Sequence, residues 1–154
     1  MANVINEKAE KSCINILLVE DNEGDAELIK TALSEMSIKN NISVVEDGES
    51  AIRFLFKKDK YLDALFPDLI LLDLNLPNKS GLEVLTEIKN DKDLKQIPII
   101  ILTSSNYDKD VKKAYDSHVS AYIVKPDSLE KLIDLTKKIE EICLNKNIKL
   151  PPVK

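Results

Sequence analysis

Four short apolar runs, each followed directly by a polar side chain capable of chemistry, constrain the fold of this chain most strongly. The runs are residues 16–19 before Glu20 and Asp21, 69–72 before Asp73, 99–102 before Thr103, and 122–124 before Lys125. Short runs of Val, Ile and Leu are typical of strands buried on both faces, as in parallel sheets covered by helices. Since the carboxyl ends of parallel strands lie along one edge, we expect these polar side chains to meet there.

Segments with helical periodicity separate the runs, and residues 42–45 add one more strand. Five strands alternating with helix-length segments predict βαβ units and therefore an α/β fold. The natural architecture is a doubly wound, five-stranded parallel sheet of flavodoxin-like order 2-1-3-4-5, forming a single domain. We expect this domain to span residues 13–144, with an N-terminal extension over 1–12 and a C-terminal tail over 145–154.

For two of the predicted helices, the sequence also indicates which residue begins the helix and which side chains face the core. In the first, the apolar spacing places Leu28 on the buried face, and Asp25 is expected to cap the amino end. The last helix is expected to begin at Ser128 and to carry Leu129 and Ile133 on its apolar face.

Composition excludes several classes of function. The net charge of −5 gives no electrostatic footprint for nucleic acid or an anionic membrane, and no apolar stretch approaches the ~20 residues of a spanning helix. Residues 1–11 are polar and do not form a secretory signal. Cys13 and Cys143 are expected to be reduced thiols of a cytoplasmic protein, and the presence of a single histidine, His118, argues against an ordinary zinc site.

The predicted convergence of three acids calls for a cation. Two ionised carboxylates 4 Å apart repel by about 4 kcal/mol at an effective dielectric of 20. A hard cation with oxygen ligands removes this repulsion, and Mg²⁺ prefers one or two carboxylates together with water and phosphate oxygens. We expect Asp21 and Asp73 to be direct ligands and Glu20 to act through water.

The same edge of the sheet could support phosphoryl transfer. A carboxylate such as Asp73 can attack phosphorus and form an aspartyl phosphate, a reaction that depends mainly on positioning and charge neutralisation. Lys125 could pair with one phosphoryl oxygen and Thr103 could donate a hydrogen bond to another, while Tyr122 could fill the space that Thr103 leaves. Singly, each residue has an ordinary role as a cap, turn or strand end, but their joint placement favours the functional interpretation.

In order along the chain, Glu20-Asp21, Leu72-Asp73-Leu74-Asn75-Leu76-Pro77, Thr103 and Lys125-Pro126 resemble the receiver domain of two-component response regulators. The resemblance covers nearly the whole chain, from about residue 14 to 143. It implies that Asp73 accepts a phosphoryl group from a sensor histidine kinase, and that Glu20, Asp21, Asp73 and the backbone carbonyl of Asn75 organise Mg²⁺. It also implies that Thr103 and Lys125 hold the phosphoryl group and that Tyr122 is the aromatic switch.

A finer resemblance links the chain to stand-alone receivers paired with bacterial phytochromes, through the segment 20–25, Ser117-His118 and the ending Leu150-Pro151-Pro152. Members of that group often form homodimers through the fourth helix (here residues 108–117), the fifth strand and the fifth helix. His118 stands where receivers often have glycine, and Asn75 and Ser105 stand where they tune dephosphorylation. The lifetime of the phosphoryl group is therefore left open, as are the kinase, the stimulus and the downstream partner.

Our sequence-based interpretation is a single-domain response regulator that catalyses its own phosphorylation and dephosphorylation rather than an enzyme with a separate substrate. It would act on a downstream phosphotransfer or effector protein, or through altered dimerisation, without binding DNA. The first alternative is a Mg²⁺-dependent phosphohydrolase, although such enzymes usually carry Asp-x-Asp after their first strand. The second is a flavin- or nucleotide-binding module, disfavoured by the scarcity of glycine (Gly24, Gly48 and Gly81) and by the acidic pair at the key turn.

Overall fold

The computed structural model describes residues 13–103 and 119–145 of the chain. Within them, five parallel strands form one sheet in the order β2-β1-β3-β4-β5. The strands are β1 (Ile14–Val19), β2 (Asn40–Val45), β3 (Leu69–Asp73), β4 (Ile99–Thr103) and β5 (Ala121–Val124). The helices are α1 (Glu23–Ser34), α2 (Gly48–Leu55), α3 (Gly81–Lys89) and a C-terminal helix (Leu129–Asn145), with short 3₁₀ turns at Asp59–Tyr61 and Leu94–Gln96. The flavodoxin-like α/β fold and strand order predicted from the sequence are confirmed.

The central strands are covered on both faces, which explains their continuous apolar sequences. Alternate residues of β1, β3 and β4 point to opposite sides and separate two core clusters. One cluster packs beneath α2 and α3, and the other packs beneath α1 and the C-terminal helix. All five residues of β3 are buried, as expected of the middle strand in a doubly wound sheet.

The amino end of α1 differs from the sequence-based expectation. Asn22, rather than Asp25, is the N-cap, because its side-chain oxygen accepts a hydrogen bond from the backbone N–H of Asp25 at 2.9 Å. Asp25 lies in the first turn, where its carboxylate is free to point elsewhere. The prediction for Leu28 was also wrong: it is 52% exposed, and Ala26, Ile29 and Leu33 form the buried face.

The C-terminal helix begins as predicted, since the Ser128 hydroxyl accepts a hydrogen bond from the N–H of Lys131 at 3.2 Å. Its buried side chains include Leu135, Ile139 and Cys143. Leu129 and Ile133, which we expected on the apolar face, are 73% and 46% exposed. They lie one turn apart and form an apolar strip that the described residues leave uncovered.

A glycine fixes the path of the chain after β3. A side chain at Gly81 would overlap the carbonyl oxygen of Asp73 and the backbone of Leu74, so only glycine permits α3 to begin so close to the strand end. A full capping box then starts the helix: the Ser80 hydroxyl accepts from the Glu83 N–H, and the Glu83 carboxylate accepts from the Ser80 N–H. The loop from residue 74 to 80 is thus held close to the end of β3.

None of the helices in the described part of the chain combines the length and the hydrophobicity that a membrane span requires.

Candidate functional site

The acidic side chains predicted to converge do so at the carboxyl edge of the sheet. Glu20 follows β1, Asp73 ends β3, and oxygen atoms of Glu20, Asp21 and Asp73 all lie within 4.8 Å of one another. Glu20 and Asp73 are only 1% and 2% exposed, whereas Asp21 faces solvent. Two of the three carboxylates are therefore buried, and the third is accessible from solvent.

The ammonium group of Lys125 occupies the centre of this cluster. Its Nζ atom lies 2.9 Å from Asp73 Oδ2, 2.9 Å from both oxygens of Glu20 and 3.0 Å from Asp25 Oδ2. The Lys125 side chain is 14% exposed, so water screens these contacts less than it would at an open surface. The three N–H donors of the ammonium thus have three carboxylates as partners.

Backbone N–H groups orient the two buried carboxylates. The N–H of Asn75 donates to Asp73 Oδ1 at 2.9 Å, and the N–H of Asn22 donates to Glu20 Oε2 at 3.0 Å. Each bond spans two residues, so the turn that leaves the strand also fixes the side chain at the strand end. Asn75 is itself exposed in the turn after β3, which places its backbone at the rim of the cluster.

The electrostatic environment shifts the pKa values of two members of the site. Burial raises the pKa of Glu20 to about 6, in spite of the hydrogen bonds from Lys125 and from the Asn22 backbone, and the nearby charge of Asp73 adds to the rise. Burial alone would lower the pKa of Lys125, but hydrogen bonds to Glu20, Asp73 and Asp25 outweigh it and hold the pKa above its ordinary value. Lys125 is therefore a permanent cation in this site.

The residues present fit a hard divalent cation. Glu20 Oε1 is buried and, although it is close to the Lys125 ammonium, has no hydrogen bond of its own among the described residues. An orphaned carboxylate oxygen beside two further carboxylates is a donor set of the kind that Mg²⁺ and Mn²⁺ prefer. One lysine cannot neutralise this many acids, so the cluster has both the ligand atoms and the excess charge to bind such an ion.

The structure describes some of the remaining predicted site residues fully, some only in their backbone, and others not at all. Thr103 is the last residue of β4 and pairs in register with Val124, but its side chain lies outside the described part of the structure. Tyr122 is half-buried on β5, opposite Ile101 of β4, and packs against the cluster beneath α2 and α3. Ser105, the predicted helix over residues 108–117 and His118 lie outside the described residues.

Sequence reasoning missed Asp25 as a member of the site. It assigned Asp25 to the helix cap, yet the carboxylate reaches Lys125, 100 residues further along the chain. The available signal was the neighbouring Asn22, an equally good cap residue three positions earlier, which leaves Asp25 in the first turn on the side of the strand ends.

A buried aspartate at the end of the third strand, an acidic pair after the first and a lysine after the fifth, on a 2-1-3-4-5 sheet, define the receiver class of signalling proteins. The sequence profile of the response regulator receiver domain matches residues 16–137. The chain therefore belongs to the response regulator receiver family of two-component systems.

Individual relatives agree with this assignment. The response regulator Rcp1 of Synechocystis sp. is 42% identical over 129 residues, which cover 84% of this chain and 88% of Rcp1. Its crystal structure in the Mn²⁺-bound form has a TM-score of 0.79 at 40% identity, covering 90% of this chain and 99% of that one. The crystal structure of RcpA, a phosphorylated cyanobacterial phytochrome response regulator, has a TM-score of 0.80 at 44% identity, covering 91% of this chain and 99% of that one. The predicted resemblance to phytochrome-associated receivers is confirmed.

Proposed function

We propose that this receiver, over residues 13–144, accepts a phosphoryl group on Asp73 from a phosphohistidine of a sensor histidine kinase, in a reaction that requires Mg²⁺. The observation that carries the proposal is the state of the Asp73 carboxylate. It is buried, ionically paired through Oδ2 to Lys125, held through Oδ1 by the Asn75 N–H, and adjacent to two further acids. A carboxylate that served only the fold would not need this concentration of like charge.

The chemical step is an exchange of one bond to phosphorus for another. A carboxylate oxygen of Asp73 attacks the phosphorus atom, the new O–P bond forms, and the P–N bond to the histidine imidazole breaks. The imidazole nitrogen keeps the electron pair and takes up a proton. Later, water attacks the phosphorus, the Asp73 carboxylate leaves with the electrons of the O–P bond, and inorganic phosphate is released.

Several residues of the site would hold the metal ion. Asp21 and Asp73 would bind it directly, Glu20 through water, and Asn75 through its backbone carbonyl; the clustering of the three carboxylates within 4.8 Å supports this assignment. The ion would supply positive charge to the phosphoryl oxygens. That charge is needed because the phosphoryl group is itself anionic and would otherwise enter an acidic site.

Lys125 and Thr103 would bind the transferred phosphoryl group. Lys125 already lies 2.9 Å from Asp73 Oδ2, so its ammonium is next to the position that a phosphoryl oxygen would take. We propose that the Thr103 hydroxyl donates to another oxygen and that Tyr122 changes position when it does. The half-buried place of Tyr122 on the edge strand, beside β4, is compatible with a side chain that moves between the core and the surface.

The proposed partners are a phytochrome-type histidine kinase and a second copy of the chain. RcpA is described as a phytochrome response regulator, and another relative of known structure is a bacteriophytochrome response regulator at 37% identity and a TM-score of 0.72. The dimer would form through the predicted helix over 108–117, β5 and the C-terminal helix. The exposed apolar side chains of Val124, Leu129 and Ile133 lie on the two described elements of that surface.

Output would pass to a downstream phosphotransfer or effector protein, or through a change in the dimer, without nucleic acid or membrane binding. We place this exchange in the cytoplasm. Cys13 and Cys143 are both free thiols, in keeping with a reducing compartment.

Intact-mass measurement after incubation with Mg²⁺ and acetyl phosphate tests the phosphoryl-acceptor proposal. We expect one added phosphoryl group per chain, lost without metal and lost in Asp73→Asn. Asp63→Asn is the matched control, because Asp63 is an exposed aspartate in the loop before β3. No adduct on the wild type, or an adduct that persists in Asp73→Asn, would refute the assignment, and steady turnover of small phosphomonoesters would favour a hydrolase instead.

Light scattering with and without a stable phosphoryl mimic tests the proposed dimer. We expect Leu129→Ser together with Ile133→Ser to weaken self-association. Leu62→Ser is the control, because Leu62 is 70% exposed and lies in the α2–β3 connection, which is not one of the elements of the proposed surface. Equal weakening by the control would argue against this interface.

A further inference from the structure

Lys125 has a third acidic partner outside the set of predicted metal and phosphoryl residues. Asp25 Oδ2 lies 3.0 Å from Lys125 Nζ, and the Asp25 side chain is 38% exposed, whereas those of Glu20 and Asp73 are buried. Asp25 belongs to α1, whereas Glu20 and Asp73 follow or end strands of the sheet. The contact therefore connects the first turn of a helix to the residue that follows β5.

Asp25 is positioned rigidly enough to hold a flexible cation. Its backbone N–H is bonded to the Asn22 cap, and the next residue, Ala26, is 5% exposed and packs in the core. The cavity between Asp25, Leu28, Lys125 and its neighbours measures only about 10 Å³, so direct contact and not an intervening ligand joins the two side chains. Fixing a lysine side chain in one position costs a large amount of conformational entropy. A contact that offsets part of this cost, such as the one with Asp25, should therefore restrict the position of the Lys125 ammonium measurably.

We propose that Asp25 is a positioning residue that holds the Lys125 ammonium over Asp73; this inference rests on the proposed phosphoryl-acceptor function. When Asp73 carries a phosphoryl group, Lys125 has to redirect the N–H that now points to Asp73 Oδ2. The bonds to Asp25 and Glu20 keep the ammonium in place while that one donor changes partner. Without Asp25, the ammonium loses one of its three carboxylate partners and samples more positions.

The rate of phosphorylation by acetyl phosphate, measured by intact mass over time, tests this role. Asp25→Ala is expected to lower the rate about fivefold, the order of magnitude of one partly exposed charge-assisted hydrogen bond. Asp25→Glu, which keeps the charge, is expected to recover most of the rate. Glu23→Ala is the matched control: it removes an acid from the same exposed first turn of α1 and should leave the rate within twofold.

A double-mutant cycle separates positioning from a general effect on the fold. In the Lys125→Met background, Asp25→Ala is expected to change the phosphorylation rate by less than twofold, because the cation that Asp25 holds is gone. An unchanged rate in Asp25→Ala alone, or a fivefold loss that persists in Lys125→Met, would overturn the proposal.

Urea denaturation of the metal-free, unphosphorylated protein gives a second readout that does not depend on activity. Asp25→Ala is expected to lower the unfolding midpoint of the wild type and to have little effect in Lys125→Met; equal shifts in both backgrounds would show that Asp25 does not hold Lys125. If the wild type takes no phosphoryl group, the proposed function fails, and this cycle still decides whether the anchor exists.

Discussion

Replacement of Glu20 by Gln should remove a specific pH dependence of stability. Glu20 is a buried acid whose pKa rises from 4.5 to about 6 in the folded protein. Between these values the folded state binds a proton that the unfolded state has released. Stability must therefore fall as the pH rises from about 4.5 to about 6, and above that window the full cost of burying the ionised Glu20 is present.

The size of the effect follows from the pKa difference. One pKa unit corresponds to about 1.4 kcal/mol, so the change from 4.5 to about 6 amounts to about 2 kcal/mol. The Glu20 side chain is fully buried, so solvent screening does not reduce this figure as it would at the surface. Gln has nearly the same shape and keeps a carbonyl oxygen for Lys125, but it does not titrate.

The assay is urea denaturation of wild type and Glu20→Gln from pH 4 to 7.5 in the absence of divalent cations. The free energy of unfolding of the variant minus that of the wild type should grow by about 2 kcal/mol across this range. Glu49→Gln is the control, since Glu49 is an exposed acid at the start of α2. Parallel curves for wild type and Glu20→Gln would refute the reasoning, because they would mean that Glu20 titrates equally in the folded and unfolded states.

Three further predictions concern the same edge of the sheet. Millimolar Mg²⁺ should raise the Tm measured by calorimetry, since only the folded site binds it, and more at pH 7 than at pH 5, where Glu20 is protonated; no shift at either pH would count against the metal site. Asp73→Asn should stabilise the metal-free protein by about 1 kcal/mol in urea, because it relieves the repulsion among three acids whose oxygens lie within 4.8 Å of one another, a cluster that does not include Asp25; a clear loss of stability would mean that the pair with Lys125 outweighs the repulsion. Gly81→Ala should destabilise by about 2 kcal/mol through overlap with the Asp73 backbone, whereas Gly24→Ala, where the added Cβ meets only the Asn22 side chain at 3.3 Å, should change little; equal effects would refute the close-approach argument.

The strand positions could be predicted because the sheet is buried on both faces. A run such as residues 69–72 contains no polar residue that could face solvent, so it must be buried on both faces. The run is also too short to be a helix. The helix faces were harder to predict, because an amphipathic pattern shows which residues are apolar but not how wide the covered stripe is. Leu28 and Ile133 lie at the edges of their stripes and are exposed, although their apolar character matches that of their buried neighbours.

Site residues could be predicted from the sequence when they stand at the end of a strand. The hydrogen-bond and ion-pair partners of their side chains could not, because several partners were possible. Glu20, Asp73 and Lys125 follow from strand ends alone. The sequence pattern indicated that Lys125 binds the phosphoryl group, but the contacts of its ammonium with three carboxylates are visible only in the folded structure. Asp25 could not be placed, because caps and long-range ion pairs both favour an acid in the first turn of a helix.

The charge balance of the site depends on Lys125. Among the described residues, one ammonium lies among four carboxylates, those of Glu20, Asp21, Asp25 and Asp73, so the cluster keeps an excess of negative charge. A divalent cation would reduce this excess, and a phosphoryl group on Asp73 would add negative charge again. Lys125 is the one cation among the described residues that bonds to the acids of this cluster, so its hydrogen bonds would have to be redistributed when the charge changes. Because Lys125 follows β5, such a redistribution would occur at the end of the edge strand that carries Tyr122.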